Sequence, residues 1–170
     1  DSSVFQIVDV KEELKAISTA VDMINNKEGD ILMKGLCSTD KYMRAILKKE
    51  GGLLPPKAVL SHVAVLESPH YHKLMIISDM AVIPAPDLKQ KEAITKYVVN
   101  TAKALQIEKP KVAFIAATEQ MLPGMQACVD AAILAKMVDR GQIPGCVADG
   151  PLALDVAVSK EAVAIKKLKS

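Results

Sequence analysis

The stretch that decides the fold is residues 30–47, DILMKGLCSTDKYMRAIL, in which a short apolar run is followed by a helical pattern. We predict a strand at 30–33, because a run of this length that stops at a glycine is typical of a short buried strand. A helix then begins after Ser38 or Thr39, since either hydroxyl is a favourable N-cap, and it reaches Leu47. A strand followed by a helix is the repeating unit of an α/β protein.

The same alternation continues along the chain on both sides of this stretch. It predicts strands at 4–8, 58–67, 73–78, 111–116 and 145–148, with helices between most of them and a last helix that opens at 149–151. One exception is a short turn at 68–70, which joins two strands directly and predicts an antiparallel hairpin. The sequence therefore predicts an α/β fold, with a mostly parallel sheet flanked by helices and a central antiparallel hairpin.

Composition excludes several classes of protein. The 170 residues carry 22 basic and 20 acidic side chains, a net charge of +2, which argues against a dedicated nucleic-acid binder. The hydrophobic fraction of 50% excludes disorder. No run of 18 apolar residues is present for a membrane span, and no signal-peptide pattern opens the sequence. Three cysteines without a CxxC pair fit a reducing compartment, so we predict a soluble cytoplasmic domain without membrane or nucleic-acid partners.

The junction between the strand at 30–33 and the next helix has the composition of an anion site. Gly35 lets the backbone approach a ligand, Thr39 supplies a hydroxyl at the helix N-terminus, and Lys34 adds a positive charge. Arg44 lies further along the same helix and can form two hydrogen bonds with a phosphate. An ordinary N-capped turn with a surface arginine explains the same residues, and composition alone leaves that alternative open.

A second junction follows the last predicted strand, at Asp149-Gly150-Pro151. An acid at a strand end, then glycine, then proline, predicts a rigid loop with free backbone N–H groups. Asp149 or Asp155 is placed to orient a donor or to act as a base, although an ordinary connecting loop has the same composition.

The remaining motifs for chemistry are weak. His62, His70 and His72 lie on the two hairpin strands, but no Glu or Cys stands at a convincing ligand spacing, so we predict no metal site. No GxSxG nucleophile motif and no glycine-rich phosphate-binding motif of the P-loop or dinucleotide type is present.

The sequence resembles the phosphate acetyl/butyryl transferase family, and the butyryl branch in particular. The resemblance is carried by these stretches, in family order: DILMKG (30–35) with Thr39 and RAIL (44–47), LSHVAV (60–65), YHKL (71–74), PKVA (110–113), KMVDRGQI (136–143) and DGPLALD (149–155). It covers nearly the whole chain, and we therefore expect an incomplete domain of that family over residues 1–170. Family members are considerably longer than this chain.

The resemblance implies a reversible acyl transfer in which acyl-CoA and phosphate give acyl phosphate and CoA. Butyryl-CoA or a similar short-chain acyl-CoA is the expected substrate, coenzyme A acts as a substrate, and no tightly bound cofactor is expected. A thiolate must attack the acyl phosphate carbonyl, so the site has to activate a thiol, stabilise an oxyanion and hold phosphate groups. The family also implies a homo-oligomer, at least a dimer.

For the site, the resemblance implies that the following residues line the substrate and CoA-phosphate cleft: Lys34, Gly35, Thr39, Arg44, Ser61, His62, Asp149, Gly150 and Pro151. The family's serine, arginine and aspartate proposed for catalysis lie in a C-terminal part that this sequence does not match. The catalytic residues are therefore unknown, and none is assigned to this chain.

For the fold, the resemblance implies part of a two-domain architecture of the isopropylmalate-dehydrogenase kind, with an inserted subdomain at approximately 58–145. Two other functions stay open. One is a catalytically idle domain of the same fold that senses CoA or acyl-CoA. The other is a nicotinamide- and metal-dependent dehydrogenase, for which Asp149 and Asp155 would be a small part of the acidic metal cluster.

Overall fold

The structure is a computed structural model, and it describes residues 4–169. The chain divides into a first unit that ends at Ala58 and a second that begins at Val59. In chain order the elements are α1 (Glu13–Asn25), α2 (Thr39–Ile46), β1 (Ala64–Ser68), β2 (Tyr71–Ile77), α3 (Leu88–Ala104), β3 (Lys111–Ile115), α4 (Gln126–Asp139), β4 (Val147–Leu152), α5 (Leu154–Val158) and α6 (Lys160–Ile165). The mixed α/β class is as the sequence predicts.

The first unit is built from α1 and α2, which contact each other. Ile17 and Val21, one turn apart on α1, are its buried apolar residues. The side-chain amide of Asn25 donates to the backbone carbonyl of Gly51 at 3.0 Å, which ties the end of α1 to the loop after α2. The segment 30–33, which the sequence predicts as a strand, lies in the connection between the two helices and has no regular secondary structure.

In the second unit, β1 and β2 form the antiparallel hairpin that the turn at 68–70 predicts. Ala64 lies opposite Ile77 and Leu66 opposite Met75, with an irregularity in the register just before Ser68. A two-stranded ribbon is marginal by itself, and here β2 packs against α3.

The core of the second unit lies between the parallel pair β3–β4 and helix α4. Leu134, Val138 and Ile143 are buried together there. Partly buried neighbours complete the cluster: Leu88, Phe114, Met137, Cys146 and Ala148. Because β3 and β4 are parallel, both strands end at the same edge of the sheet, and α5 begins directly after β4.

Helix α3 is fixed at its start by a reciprocal cap. The Gln90 backbone N–H donates to the Asp87 carboxylate at 2.7 Å, and the Asp87 N–H donates to the Gln90 side chain at 2.9 Å. One turn later, the Lys91 ammonium lies 2.6 Å from the carboxylate of Asp130 on α4. This ion pair joins the two long helices, and the Asp130 side chain is only 4% exposed.

Strand β4 contains a bulge at Gly150 and Pro151. Ala113 pairs with Asp149 and Ile115 with Leu152, so β4 has one residue more than β3 between these two pairs. Proline has no N–H for a ladder hydrogen bond, and a bulge is one of the few strand positions that accept it.

We expect Gly150→Ala to destabilise the second unit by about 1–3 kcal/mol, the usual cost of overpacking a core. A Cβ at this position would lie 2.6 Å from the Cβ of Phe114 and 2.9 Å from its carbonyl oxygen, so the two strands would have to separate. Thermal unfolding followed by circular dichroism measures the effect. Gly124→Ala is the matched control, since its added Cβ has no atom within 4 Å, and an equal loss in both variants would contradict the packing explanation.

Several sequence predictions are wrong in detail. Residues 4–8 and 30–33 are not strands, and the expected mostly parallel sheet is replaced, within residues 4–169, by one parallel and one antiparallel pair. The reason is that an extended segment becomes a strand only when a partner supplies its hydrogen bonds, and neither segment has one here.

The segment 149–151 is also not the loop that the sequence predicts, because it continues β4 up to Leu152 and the next helix begins at Leu154. Glycine and proline favour a bulge as much as a loop, and in the structure they form the bulge opposite Phe114. The inserted subdomain at approximately 58–145 stays a prediction. No helix within residues 4–169 is both long and apolar enough to cross a membrane.

Candidate functional site

The start of α2 is occupied by a side chain from α1. The Ser38 backbone N–H donates to the Glu13 carboxylate at 2.7 Å, and the Lys41 ammonium pairs with the same carboxylate. The hydrogen bond from Lys41 and then that from Ser38 lower the pKa of Glu13, so it stays ionised. Thr39 is the first helical residue, as the sequence predicts. The anion that the helix N-terminus attracts is therefore supplied by the protein itself.

Lys34 and Gly35 lie together on the wall of a cavity in the first unit. The cavity has a volume of about 210 Å³ and is lined mainly by apolar residues of α1 and of the segment 32–37. The Lys34 ammonium donates to the Gly35 carbonyl at 3.3 Å. A Cβ added at Gly35 would have no atom within 4 Å, so the backbone there is open to an approaching group. This pair has the accessibility that an anion-binding edge needs.

Arg44 is available for a ligand although it forms an ion pair. Its guanidinium lies 3.0 Å from the carboxylate of Asp40, one turn earlier on α2. The Arg44 side chain is 79% exposed, and an exposed pair of this kind is worth less than about 1 kcal/mol. A phosphate can therefore replace Asp40 at little cost.

Ser61 and His62 lie at the base of the hairpin in the second unit, next to the end of β2. The Ser61 hydroxyl is 3.0 Å from the Ser78 hydroxyl, which also donates to the His62 carbonyl at 2.6 Å. His62 is an exposed residue. The hydrogen bonds give Ser61 a role in closing the hairpin, whereas the ring of His62 is the more accessible group.

Asp79, which the sequence analysis did not identify, organises this hairpin base. Its carboxylate accepts hydrogen bonds from the backbone N–H groups of Ala81 at 2.8 Å, Val82 at 2.9 Å and His62 at 3.2 Å. Burial by itself would raise the pKa of Asp79, but the three N–H groups and the Ser61 hydroxyl outweigh it and hold the pKa well below its ordinary value. Asp79 is therefore a fixed anion and a poor general base.

The residues at 149–151 differ in exposure. Gly150 and Pro151 are buried within the sheet, so their observed role is packing. Asp149 is half-buried, and one of its carboxylate oxygens accepts the Gly150 N–H at 2.8 Å. Of the three, Asp149 is the one residue that is not fully buried.

The carboxyl edge of the β3–β4 pair carries a group of charges. The Lys166 ammonium lies 2.7 Å from the Glu119 carboxylate and 2.9 Å from the Asp155 carboxylate. Hydrogen bonds from Lys166 lower the pKa of both acids. The hydrogen bond to Glu119, followed by the one to Asp155, raises the pKa of Lys166 itself. All three groups are thus charged at neutral pH. A carboxylate with a lowered pKa is a weaker base, so Asp155 is less suitable for that role. The cluster of Lys166, Glu119 and Asp155 lies where α/β sheets commonly bind ligands.

Among the described residues, neither the cysteines nor the side chains of metal-binding type form a catalytic or metal site. Cys128 is buried. Cys146 is half-buried, and burial raises the pKa of its thiol despite the nearby Lys103. Cys37 lines the cavity beside Lys34, and no disulfide forms among the three cysteines. Within residues 4–169, no three His, Cys, Asp or Glu side chains come close enough to hold a metal ion.

The predicted site residues fall into two sets. Lys34, Gly35, Thr39 and Arg44 belong to the first unit, and Ser61, His62, Asp149, Gly150 and Pro151 to the second. Sequence reasoning missed Asp79, although an acid directly after a strand and before a turn is a recognisable signal. It also missed the contact of Lys166 with Glu119, for which 47 residues of separation leave no local signal.

Comparison with known proteins identifies the family. The family model described as phosphate acetyl/butaryl transferase matches residues 2–170. The chain is 46% identical over 162 residues to a phosphate butyryltransferase from Clostridium acetobutylicum, covering 95% of this chain and 54% of that protein. It is 40% identical over 165 residues to a phosphate acetyltransferase from Thermotoga maritima, covering 97% of this chain and 55% of that protein.

A solved structure agrees with these relatives. A branched-chain phosphotransacylase from Enterococcus faecalis V583 superposes with a TM-score of 0.88 and 30% identity, covering 100% of this chain and 60% of that one. The chain spans about half the length of the curated relatives it matches. With a family match that runs from residue 2 to residue 170, the chain belongs to the phosphate acetyl/butyryl transferase family.

Proposed function

We propose that the full-length protein carrying these residues is a phosphate acyltransferase that interconverts acyl-CoA plus phosphate with acyl phosphate plus CoA. The single observation that carries the proposal is the family match over residues 2–170, together with 46% identity to a phosphate butyryltransferase. The identity to a phosphate acetyltransferase is lower, at 40%, and this favours a butyryl or similar short-chain substrate over an acetyl one.

Exposed cations of the first unit support the proposal. Phosphate and the polyphosphate of CoA are both anions, and Lys34 and Arg44 are exposed positive side chains of this unit. The Glu13 carboxylate already lies at the start of α2, where it accepts the Ser38 N–H and pairs with Lys41, so the side-chain cations rather than the helix N-terminus would bind a phosphate group. Asp149 and His62 remain candidate residues of the second unit. No residue of this chain is proposed as a catalytic nucleophile or base.

The reaction places three requirements on the whole enzyme. The CoA thiol must become a thiolate, the carbonyl oxygen that turns into an oxyanion needs hydrogen-bond donors, and phosphate must be held beside the acyl group. We propose that this occurs in the cleft of a two-domain architecture of the isopropylmalate-dehydrogenase kind, in a cytoplasmic enzyme that is at least a dimer, with approximately 58–145 as an inserted subdomain. Light scattering on the purified full-length protein tests the oligomeric state.

The test of the function is CoA release from butyryl-CoA and from acetyl-CoA by the full-length protein, with and without phosphate. We expect release that requires phosphate and that is faster with butyryl-CoA. Release that is independent of phosphate would indicate a hydrolase instead. Tight binding of CoA without any release would indicate the idle CoA-sensing domain.

In the full-length protein, we expect Arg44→Ala to raise the KM for acyl-CoA by about ten- to hundredfold, with a smaller effect on kcat. A charge-assisted hydrogen bond to a phosphate is worth about 1.5–3 kcal/mol, which is about that change in affinity. Saturation kinetics with butyryl-CoA at fixed phosphate measure both constants.

The control for this variant is Arg140→Ala. Arg140 is the other arginine of the chain and lies exposed at the end of α4. Its removal should leave KM unchanged. An unchanged KM in Arg44→Ala as well would remove Arg44 from the CoA site.

A further inference from the structure

The base of the β1–β2 hairpin carries hydrogen bonds beyond those of the paired strands. We call residues 61–62 and 78–82 the hairpin base. The ladder begins at the pair of Ala64 and Ile77, so the hairpin base lies outside it. The ladder already fixes the register of the two strands, and β2 also packs against α3. The additional hydrogen bonds of the hairpin base are therefore not needed to set the register.

Two consecutive side chains of the hairpin base hold the backbone of His62. The His62 N–H donates to the Asp79 carboxylate at 3.2 Å, and the Ser78 hydroxyl donates to the His62 carbonyl at 2.6 Å. The backbone dihedrals of a residue limit the rotamers of its side chain. Because both backbone polar groups of His62 are held, the positions that its imidazole can reach are restricted.

Asp79 is itself fixed by the loop that follows β2. One of its carboxylate oxygens accepts the backbone N–H groups of Ala81 at 2.8 Å and Val82 at 2.9 Å, and the other accepts the His62 N–H. The first two hydrogen bonds form an ordinary turn around an aspartate. The third is different, because it joins Asp79 to a residue 17 positions earlier, at the other end of the hairpin. Asp79 therefore ties His62 to a fixed turn.

The imidazole of His62, in contrast to its backbone, is unused. His62 is exposed, and no hydrogen bond or ion pair joins its ring to another residue within 4–169. A histidine ring offers an N–H donor in both its neutral and its protonated form. A side chain whose backbone is held while its donor is unused is arranged for a ligand, because binding then costs less conformational freedom.

We propose that His62 donates a hydrogen bond to a phosphate group of a substrate, and that Asp79 and Ser78 are positioning residues that hold His62 for this contact. The inference rests on the proposed function, which brings two phosphate-bearing ligands to the protein, inorganic phosphate and CoA. Asp79 acts through the backbone of His62 and does not touch the ligand, because both of its oxygens already accept hydrogen bonds.

Titration calorimetry of the full-length protein with inorganic phosphate and, separately, with CoA tests the contact of His62. We expect His62→Ala to raise the dissociation constant of one of these ligands by about ten- to hundredfold, the value of a hydrogen bond to a charged group. The ligand that is affected identifies the phosphate group that His62 contacts. His70→Ala is the matched control and should leave both constants unchanged, since His70 is exposed in the turn at the opposite end of the hairpin.

The variant Asp79→Asn isolates the positioning role. Asparagine keeps one oxygen for the N–H groups of Ala81 and Val82, but it places an NH2 group opposite the His62 N–H, so that hydrogen bond is lost. We expect the same dissociation constant to rise at least about fivefold, because a displaced side chain binds less well. In the His62→Ala background the rise should disappear, since a residue that acts only through His62 then has nothing to position.

The variant Ser78→Ala is the second measurement, and it serves if Asp79→Asn fails to fold. It removes the hydroxyl at the His62 carbonyl without a change of charge. We expect a rise of about threefold in the same constant, which should also disappear in the His62→Ala background. A purely structural role of Asp79 or Ser78 would instead add its effect to that of His62→Ala.

Three results would overturn the inference: unchanged binding of both ligands in His62→Ala, additive effects in the double variants, or a wild-type protein that binds neither ligand. Calorimetry does not depend on turnover, so the inference and the proposed function are tested separately. A protein that binds phosphate or CoA through His62 and releases no CoA from butyryl-CoA would contradict the proposed function alone. Phosphate-dependent transfer with unchanged binding in His62→Ala would contradict this inference alone.

Discussion

Replacing Asp130 with alanine is expected to lower the free energy of unfolding of the second unit by about 3 kcal/mol. Asp130 is almost fully buried on α4, and its carboxylate accepts hydrogen bonds from Lys91 at 2.6 Å and from the Gln126 amide at 2.7 Å. Removal of one partner of a buried pair leaves the other charge in a poor environment, which costs about 3–5 kcal/mol. The lower end applies because the Lys91 side chain is 27% exposed and retains some hydration.

The same pair predicts how stability depends on pH. Burial by itself would raise the pKa of Asp130, but the hydrogen bonds from Lys91 and Gln126 outweigh it and lower the pKa. A carboxyl with a lowered pKa in the folded state contributes stability that is complete above its unfolded pKa of about 3.9 and is lost as the pH falls through the folded value. The difference between wild type and Asp130→Ala should therefore be constant near neutral pH and shrink below about pH 4.

Urea unfolding at pH 7 and at pH 3 measures both effects. Asp139→Ala is the matched control on the same helix, since its ion pair with Lys136 is exposed on both sides. We expect the control to change stability by less than about 0.5 kcal/mol. A similar small change in Asp130→Ala would show that the Lys91 pair does not hold α3 against α4.

The second large effect concerns activity. Residues 1–170 alone should show no acyl transfer from butyryl-CoA to phosphate, although we expect the second unit to fold. Thiol activation, phosphate binding and oxyanion stabilisation have to act together in one closed site. Asp79 and Asp155 are poor candidates for a base, because hydrogen bonds lower the pKa of each.

The assay compares equal amounts of residues 1–170 and of the full-length protein with saturating butyryl-CoA and phosphate. A cooperative melt by circular dichroism first confirms that the shorter chain is folded, so that inactivity does not merely reflect unfolding. Turnover comparable to that of the full-length protein would show that our placement of the catalytic groups outside this chain is wrong.

Local signals in the sequence predict most of the second unit. The turn at 68–70 predicts the β1–β2 hairpin, and a stripe of apolar residues from Ile94 to Leu105 predicts α3. These elements are predictable because the information lies within a few residues of each turn or helix face.

The predictions of strands at 4–8 and 30–33 are wrong for the opposite reason. Their composition is suitable for strands, but pairing depends on a partner that is distant in the chain or outside it, so a local pattern cannot decide it. The segment 149–151 shows a related limit of predicting local structure from sequence. Glycine and proline signal an interruption, and only the pairing of β4 with β3 shows that the interruption is a bulge.

At the candidate site, the sequence predicts residue types better than their partners. Lys34, Gly35 and Arg44 are accessible, as an anion-binding edge requires. The carboxylate of Glu13 at the start of α2 is 25 residues from its Ser38 partner. Such a contact exists only after α1 and α2 pack together, so the spacing of residues did not predict it.

The identity of the product tests the central claim most directly. The full-length protein is incubated with butyryl-CoA and inorganic phosphate and followed by phosphorus NMR, while a thiol reagent measures free CoA in parallel samples. We predict a new acyl phosphate signal that grows in equal amount with the released CoA and disappears when excess CoA is added back. CoA release accompanied by butyrate, with inorganic phosphate unchanged, would contradict phosphate acyl transfer.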